Sequence, residues 1–350
     1  VKFFERLKRK IQFFSDEFKI IDLFFTRNGH NWDKQKNVII FDTALESDNL
    51  GDEIIRKYCL QILNYLGIKI SKFLPTHKVS VMGNLDSYES GDLKIVLGTN
   101  IISNCEEHDF IWYKPRVKYL KNLCLLGCGA NDYHKRLNFY SRLFYKKMLD
   151  KTIVHSVRDS YTEQLLKKAG IENVVNTACP TMWNLTPDHC KQIPHSKSKI
   201  VVTTLTDYNQ NVEKDYFLLD TLIEEYESVN IWIQGKRDLK YFELYPKKEM
   251  LNIIDHTLQA FEKFLESNDC DYVGTRLHAG IHALNKKKRS IIIAVDDRAL
   301  RISADTNLPV IYRNEIVEKL VSFINSDFET NIKLPHDKIQ KWKEQFTIQN

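Results

Sequence analysis

The sequence contains no uninterrupted apolar run long enough to cross a bilayer, so it offers no candidate membrane-spanning helix. None of its 7 cysteines forms a Cys-x-x-Cys pair. Cys59, Cys105, Cys124, Cys128, Cys179, Cys190 and Cys270 are odd in number and scattered through apparent strands and helices. That pattern fits a reducing cytoplasm, where a buried thiol behaves as a small apolar group. The formal charge of +5 is not gathered into a long basic block, and zinc-finger spacing is absent, which argues against nucleic acid as the main partner. No cleaved leader is evident, and the chain begins at Val1 rather than methionine, as a truncated chain would.

What the sequence does have is core material: 43% of its 350 residues are hydrophobic, enough for about two domains. At the start, Phe4, Leu7, Ile11, Phe14, Phe18, Ile21 and Phe25 recur at helical spacing, beside Lys2, Arg6, Lys8, Arg9 and Lys10. Residues 1–35 therefore read as an amphipathic helical segment. Its apolar stripe packs on the body of the protein or, within residues 1–25, lies on an anionic membrane.

Strands and helices then alternate. Asn37 to Phe41 reads as a strand, Asp42 to Asp52 as a loop carrying Asn49, Gly51 and Asp52, and Glu53 to Leu66 as a helix. Such a loop lies at the carboxyl end of its strand, where open α/β sheets bind ligands; ordinary helix capping by Asp48, Asn49 or Asp52 accounts for it equally well. Leu93 to Leu97 and Leu123 to Leu126 each run into a glycine turn, the second being Gly127-Cys128-Gly129. That turn lacks the third glycine of a dinucleotide fingerprint and does not follow the first strand, which discounts NAD or FAD. Its glycines let backbone approach a ligand or a neighbouring strand. Thr152 to Val157 ends at Arg158, a candidate anion contact whose plainer account is a salt bridge to Asp159 or Glu163.

These elements make a first domain over residues 36–186. Pro187 and Pro194 mark a linker over 187–198, a second α/β series fills 199–325, and a helical tail follows over 326–350. Lys236, Arg237 and Asp238 follow a strand end and either face a ligand cleft or, more simply, stand in a solvated loop, and Lys286 to Arg289 reads as a solvated turn.

The chemistry concentrates between Cys270 and Pro309. An apolar run ends at Val273, Gly274-Thr275 turns, and Leu277, Ile281 and Leu284 recur on a helix over Leu277 to Asn285. The N–H groups and positive dipole end of that helix favour an anion, and Arg276 adds a guanidinium that grips phosphate or carboxylate with two bonds. His278 is close enough in sequence to reach the same ligand and exchange a proton near neutral pH. The competing account is an ion pair for Arg276 and a satisfied interior histidine. His282 follows at i,i+4 spacing, but no third ligand is near in sequence, and a metal is set aside.

Arg276-Leu277-His278-Ala279-Gly280-Ile281 after its strand resembles the C-terminal motif of the polysaccharide pyruvyl transferase family. Asn49-Leu50-Gly51-Asp52-Glu53 and Ser156-Val157-Arg158-Asp159-Ser160 resemble that family in the same order, over about Lys36 to Ile324. The resemblance implies two Rossmann-like α/β domains facing a cleft, as in the GT-B architecture. It implies transfer of the pyruvyl unit of phosphoenolpyruvate to a sugar acceptor, carried on a lipid-linked oligosaccharide, with no cofactor. On that basis His278, Arg276 and Arg158 are catalytic candidates. Asn49, Gly51, Asp52, Gly127, Gly129, Thr275 and Arg298 are substrate-binding candidates, Arg298 standing near a position where family members often carry lysine. The expected location is cytoplasmic, including the inner face of the membrane. One departure stands out: Cys179-Pro180 occupies the place of the family's usual Asp-Pro. A GT-B glycosyltransferase using a nucleotide sugar, and a catalytically silent glycan-binding member, are the alternatives.

Overall fold

A computed structural model describes residues 38–76, 93–104 and 122–347. The amphipathic helices expected over residues 1–25, and Cys105, lie outside the described residues. The chain forms two compact units: Val1–Glu46, Cys59–Thr177 and Pro335–Asn350 belong to the first, Ser47–Tyr58 and Ala178–Leu334 to the second.

In the first unit, β1 (Val38–Asp42), β2 (Ile70–Pro75), β3 (Leu93–Leu97) and β5 (Leu123–Leu126) make a parallel sheet in the order β2-β1-β3-β5. β1, β3 and β5 are buried along their whole length, Asp42 of β1 and Lys94 of β3 included, as expected of strands covered on both faces. Short pairs extend the layer: β4 (Asn100–Ile102) with β6 (Gly129–Ala130), and β7 (His155–Val157) with β8 (Val174–Asn176). The helix Phe139–Met148 starts where Asn138 Oδ1 accepts the Ser141 N–H at 2.8 Å. In the same way Asp159 Oδ1 caps the helix Ser160–Lys168 by accepting the Thr162 N–H at 2.7 Å. The terminal helix His336–Glu344 buries Ile339 and Trp342, followed by buried Phe346. Gln345 then bonds the backbone of Val154 in both directions.

The second unit carries six parallel strands: β9 (Ile200–Thr203), β10 (Ser228–Trp232), β11 (Asn252–Ile254), β12 (Cys270–Gly274), β13 (Ser290–Ala294) and β14 (Val310–Tyr312). Their order is β11-β10-β9-β12-β13-β14, which is the Rossmann order 3-2-1-4-5-6 counted within the unit. Successive side chains leave the sheet on opposite faces. Val202, Tyr272 and Ile292 join one core cluster with Ile281 and Leu284 of the helix Leu277–Asn285. Val201, Val273 and Ile291 join the other, with Leu218 and Leu222 of Val212–Glu225 and Leu320 of Ile316–Asn325. Burying each large aliphatic side chain contributes about 1.5–3 kcal/mol. Gly280 lets the central helix lie close on β13, since a Cβ there would sit 2.4 Å from Ile292 Cγ1.

Three stretches differ from the sequence reading. Residues 187–198 belong to the second unit: Pro187–Cys190 is a helical turn capped by Thr186, and Cys190 and Ile193 enter the core, so apolar anchors outweigh the prolines. Lys236 to Asp238 open a helix, Lys236–Phe242, rather than a solvated loop, and Asp238 is buried. Arg289 is buried too. Its Nη1 meets Asp271 Oδ2 at 2.7 Å, and its Nη2 donates to the carbonyls of Phe323, Ile324 and Ser326. It thereby helps to cap the carboxyl end of Ile316–Asn325, where Asn325 Nδ2 also donates to Val321 O and Ser326 Oγ to Phe323 O.

Six cysteines, Cys59, Cys124, Cys128, Cys179, Cys190 and Cys270, are buried as thiols. Burial raises the pKa of Cys124 and Cys190, and pushes that of Cys270 up to about 12. Among the described residues no helix is long and apolar enough to cross a membrane.

Candidate active site

In the second unit the connections leave the sheet in opposite directions on either side of β9 and β12, the switch point beside which such sheets bind ligands. The ends of these two strands are tied together tightly. A Cβ at Gly274 would fall 2.6 Å from Thr204 Oγ1 and 2.7 Å from its backbone nitrogen, so only glycine permits this approach. Thr275 donates to Thr204 O through both its N–H, at 3.0 Å, and its hydroxyl, at 3.1 Å. Tyr272 OH donates to Arg276 O at 2.8 Å, which leaves Thr204 Oγ1 as the donor to Tyr272 at 2.7 Å. Thr204 Oγ1 in turn accepts the Arg276 N–H at 3.2 Å.

Arg276 is thereby fixed as the residue preceding the helix Leu277–Asn285, whose amino end no side chain caps. First-turn N–H groups and the helix dipole make such an end electropositive. The Arg276 guanidinium is itself held: Nε donates to Leu205 O at 3.2 Å and to Asp238 Oδ2 at 3.1 Å, and Nη2 bonds Asp238 Oδ1 and, at 3.3 Å, Asp207 Oδ1. Nη1 has no hydrogen-bond partner among the described residues, which leaves it for a ligand. Asp238 also accepts the N–H groups of Gly235 and Asp207, at 2.8 and 2.9 Å. Burial raises the Asp238 pKa, against the pull of Arg276.

His278, one residue into the helix, is buried with Nε2 3.9 Å from Cys179 Sγ, and Thr181 Oγ1 donates to that sulfur at 3.0 Å. His282 points into a different cluster. Its Nδ1 is 2.9 Å from Tyr58 OH and its Nε2 3.2 Å from Glu262 Oε1, which Lys57 also contacts. Burial lowers the His282 pKa, while the imidazole first and then Lys57 hold the Glu262 carboxyl down at about 2. Among the described residues no group of three or more His, Cys, Asp or Glu side chains is arranged to hold a metal.

Asn49 and Gly51 dock on the end of β10. Asn49 Oδ1 accepts the Gly51 N–H at 3.1 Å and Gln234 Nε2 at 2.8 Å, and Leu50 N donates to Gln234 O at 3.0 Å. A Cβ at Gly51 would meet Gln234 Nε2 at 2.7 Å. Asp52 Oδ2 accepts Ser47 Oγ at 2.6 Å. Asn49 thus reaches Arg276 indirectly, through Gln234-Gly235 and Asp238. Arg298 opens the helix Asp297–Thr306, with Nη2 2.7 Å from Asp296 Oδ2 and 3.2 Å from Tyr208 OH. Tyr208 is common ground, since the Arg276 and Arg298 guanidinium carbons lie 5.1 and 6.0 Å from its ring centroid.

The first unit gathers Arg158, Gly127 and Gly129. Arg158 is buried, with Nη2 donating to Tyr133 OH at 2.9 Å and Nε 3.5 Å from Asp159 Oδ2. Tyr133 OH donates to Asp159 Oδ2 at 2.9 Å, and burial raises its pKa. Gly129 makes room for the guanidinium: a Cβ there would sit 2.2 Å from Arg158 Nε. Gly127 takes φ +70° and gives its N–H to Ser156 O and Oγ.

Residues 49–297 match the family model for polysaccharide pyruvyl transferase. The chain belongs to that family. The match runs from Asn49 past the Arg276 turn to the cluster at Asp296-Asp297. No curated protein matches. Among solved structures, a UDP-GlcNAc 2-epimerase from Methanocaldococcus jannaschii in complex with UDP-GlcNAc and UDP is similar with TM-score 0.49 and 14% identity, over 88% of this chain and 100% of that one. The S. aureus MnaA-UDP structure follows at TM-score 0.46 and 13% identity, over 85% and 91% of the two chains.

Within this pyruvyl transferase family member, Asp207, Tyr208, Gln234 and Asp238 were not singled out by the sequence as partners of Arg276. One signal was available: Asp207 and Asp238 follow β9 and β10 closely, and these strands adjoin the switch point once the strand order is known.

Proposed function

We propose that the protein transfers the pyruvyl unit of phosphoenolpyruvate to two hydroxyls of one sugar residue in a surface or capsular polysaccharide precursor, giving a cyclic ketal and phosphate. The observation that carries this is the Thr275–His278 turn: an uncapped helix start, a fixed guanidinium with Nη1 unbonded and a histidine, at the switch point of a chain of this family.

The chemistry divides between these groups. His278 gives a proton to the methylene carbon of the donor, and the enol oxygen stabilises the resulting cationic carbon. A sugar hydroxyl attacks that carbon and returns a proton to His278. The second hydroxyl then displaces phosphate, and its proton leaves with the phosphate. The first-turn N–H groups and Arg276 Nη1 hold the donor's negative charge. Arg158 is proposed as an anion contact of the first unit. The scheme needs neither metal nor nucleotide. The acceptor in this proposal is lipid-linked oligosaccharide at the inner face of the membrane.

Calorimetric titration of phosphoenolpyruvate into wild-type protein and Arg276→Ala tests the donor assignment, with nucleotide sugars run beside it. Binding that Arg276→Ala abolishes is the expected result. No heat with phosphoenolpyruvate, together with binding of one nucleotide sugar, would sink pyruvyl transfer in favour of glycosyl transfer.

A further inference from the structure

Tyr208 is an aromatic side chain 38% exposed at the same edge of the sheet, on the loop that leaves β9. That loop is pinned on both sides of Tyr208. Asp207 N donates to Asp238 Oδ1 at 2.9 Å, Asn209 Nδ2 donates to Val295 O, and Arg313 Nη1 donates to Asn209 O at 2.6 Å. Asn209 takes φ 55°, a left-handed conformation that asparagine tolerates and these bonds hold. An exposed ring on a fixed backbone loses little entropy when a ligand stacks on it.

The charges around the ring define what it suits. Asp207 pairs with Arg237 Nε at 3.0 Å and with Arg276; Asp238 pairs with Arg276; Asp296 pairs with Arg298 at 2.7 Å. Beside the ring, Asp207 with Arg237 and Asp296 with Arg298 are each balanced pairs, unlike the bare helix start and Arg276 Nη1. A dianion gains little from such a balance. A ring bearing several hydroxyls gains both ways, since each hydroxyl can donate to a carboxylate and accept from a guanidinium. One C–H face of a pyranose also offers the apolar surface that an aromatic ring covers well.

We infer that Tyr208 is the stacking platform for the acceptor sugar, a neutral pyranose whose hydroxyls are read by Asp207, Arg237, Asp296 and Arg298. This deepens the pyruvyl transfer proposal and rests on it, in that it separates an acceptor subsite from the anion subsite of the helix start.

Saturation-transfer NMR with the methyl pyranosides of glucose, galactose, mannose and N-acetylglucosamine tests the platform without needing turnover. The pyranoside ring protons should receive saturation from wild-type protein and from Tyr208→Phe, and at least fivefold less from Tyr208→Ala. Two-dimensional amide spectra of the variants establish that each is folded, and calorimetry with phosphoenolpyruvate is run on the same samples. Equal saturation from Tyr208→Ala and wild type would overturn the inference, as would no saturation from wild-type protein that binds phosphoenolpyruvate. Tyr208-dependent pyranoside binding without phosphoenolpyruvate binding would uphold the platform and remove the donor assignment instead.

Discussion

Asp238 holds Arg276 with both carboxylate oxygens, Oδ2 3.1 Å from Nε and Oδ1 on Nη2, across 38 residues of sequence. A bidentate pair of this kind fixes the plane of the guanidinium and so decides which nitrogen remains for a ligand. Asp238→Asn removes the charge but little volume, leaving the arginine buried without its main partner. A loss of about 3–5 kcal/mol is expected from breaking such a pair, measured as a lower urea midpoint, with weaker phosphoenolpyruvate binding by calorimetry. An unchanged midpoint would mean that Asp207 alone suffices.

Gly129 and Arg158 share one space. Gly129→Ala should destabilise the protein by about 1–3 kcal/mol through overpacking, because its Cβ would lie 2.2 Å from Arg158 Nε. In the Arg158→Ala background the same change should cost much less, and a double-mutant cycle of thermal unfolding reads the difference. Additive effects would contradict the steric account.

The Glu262 carboxyl is lowered from 4.5 to about 2, by the His282 imidazole first and by Lys57. A depressed acid stabilises the fold above its unfolded pKa and ceases to do so as pH falls through its folded one. Stability from this group should therefore fade between about 4.5 and about 2. Thermal unfolding from pH 6 downwards should fall less steeply in Glu262→Gln than in wild type; identical slopes would assign the acid limb to other carboxylates.

Arg289 ends a helix and neutralises Asp271 at once. Arg289→Ala leaves the buried Asp271 carboxylate without its cation, with Tyr226 OH and Ser198 N–H as its remaining donors, and a loss of about 3–5 kcal/mol is expected. Arg289→Lys keeps the charge but cannot serve both ends, so its urea midpoint should fall between those of wild type and Arg289→Ala.

The elements legible in the sequence were those whose pattern is local. Leu93–Leu97, Leu123–Leu126 and Leu277–Asn285 are recovered to the residue, because a mainly apolar run that ends at a glycine, or a helical repeat, needs no distant partner to be recognised. β2 was missed: its Ser71 and Lys72 are exposed, and it ends on Pro75. The helix Asp297–Thr306 was missed because Asp296-Asp297-Arg298 reads as a charged cluster, and it buries only Ala299, Ile302 and Thr306. At the site, Arg276 and His278 were visible from their motif. Asp207 and Tyr208 were not, nor was the pairing of Asp238 with Arg276, since these contacts are made across the ends of separate strands. Arg289, taken for part of a solvated turn, owes its burial to Asp271 and to carbonyls 34–37 residues further on.

The buried thiols give the chain its own clock. Cys59, Cys124 and Cys128 sit in one unit and Cys179, Cys190 and Cys270 in the other. A shielded thiol reacts with an alkylating reagent only when its surroundings open. The order in which these six acquire label thus times the opening of each unit separately, without any probe being introduced.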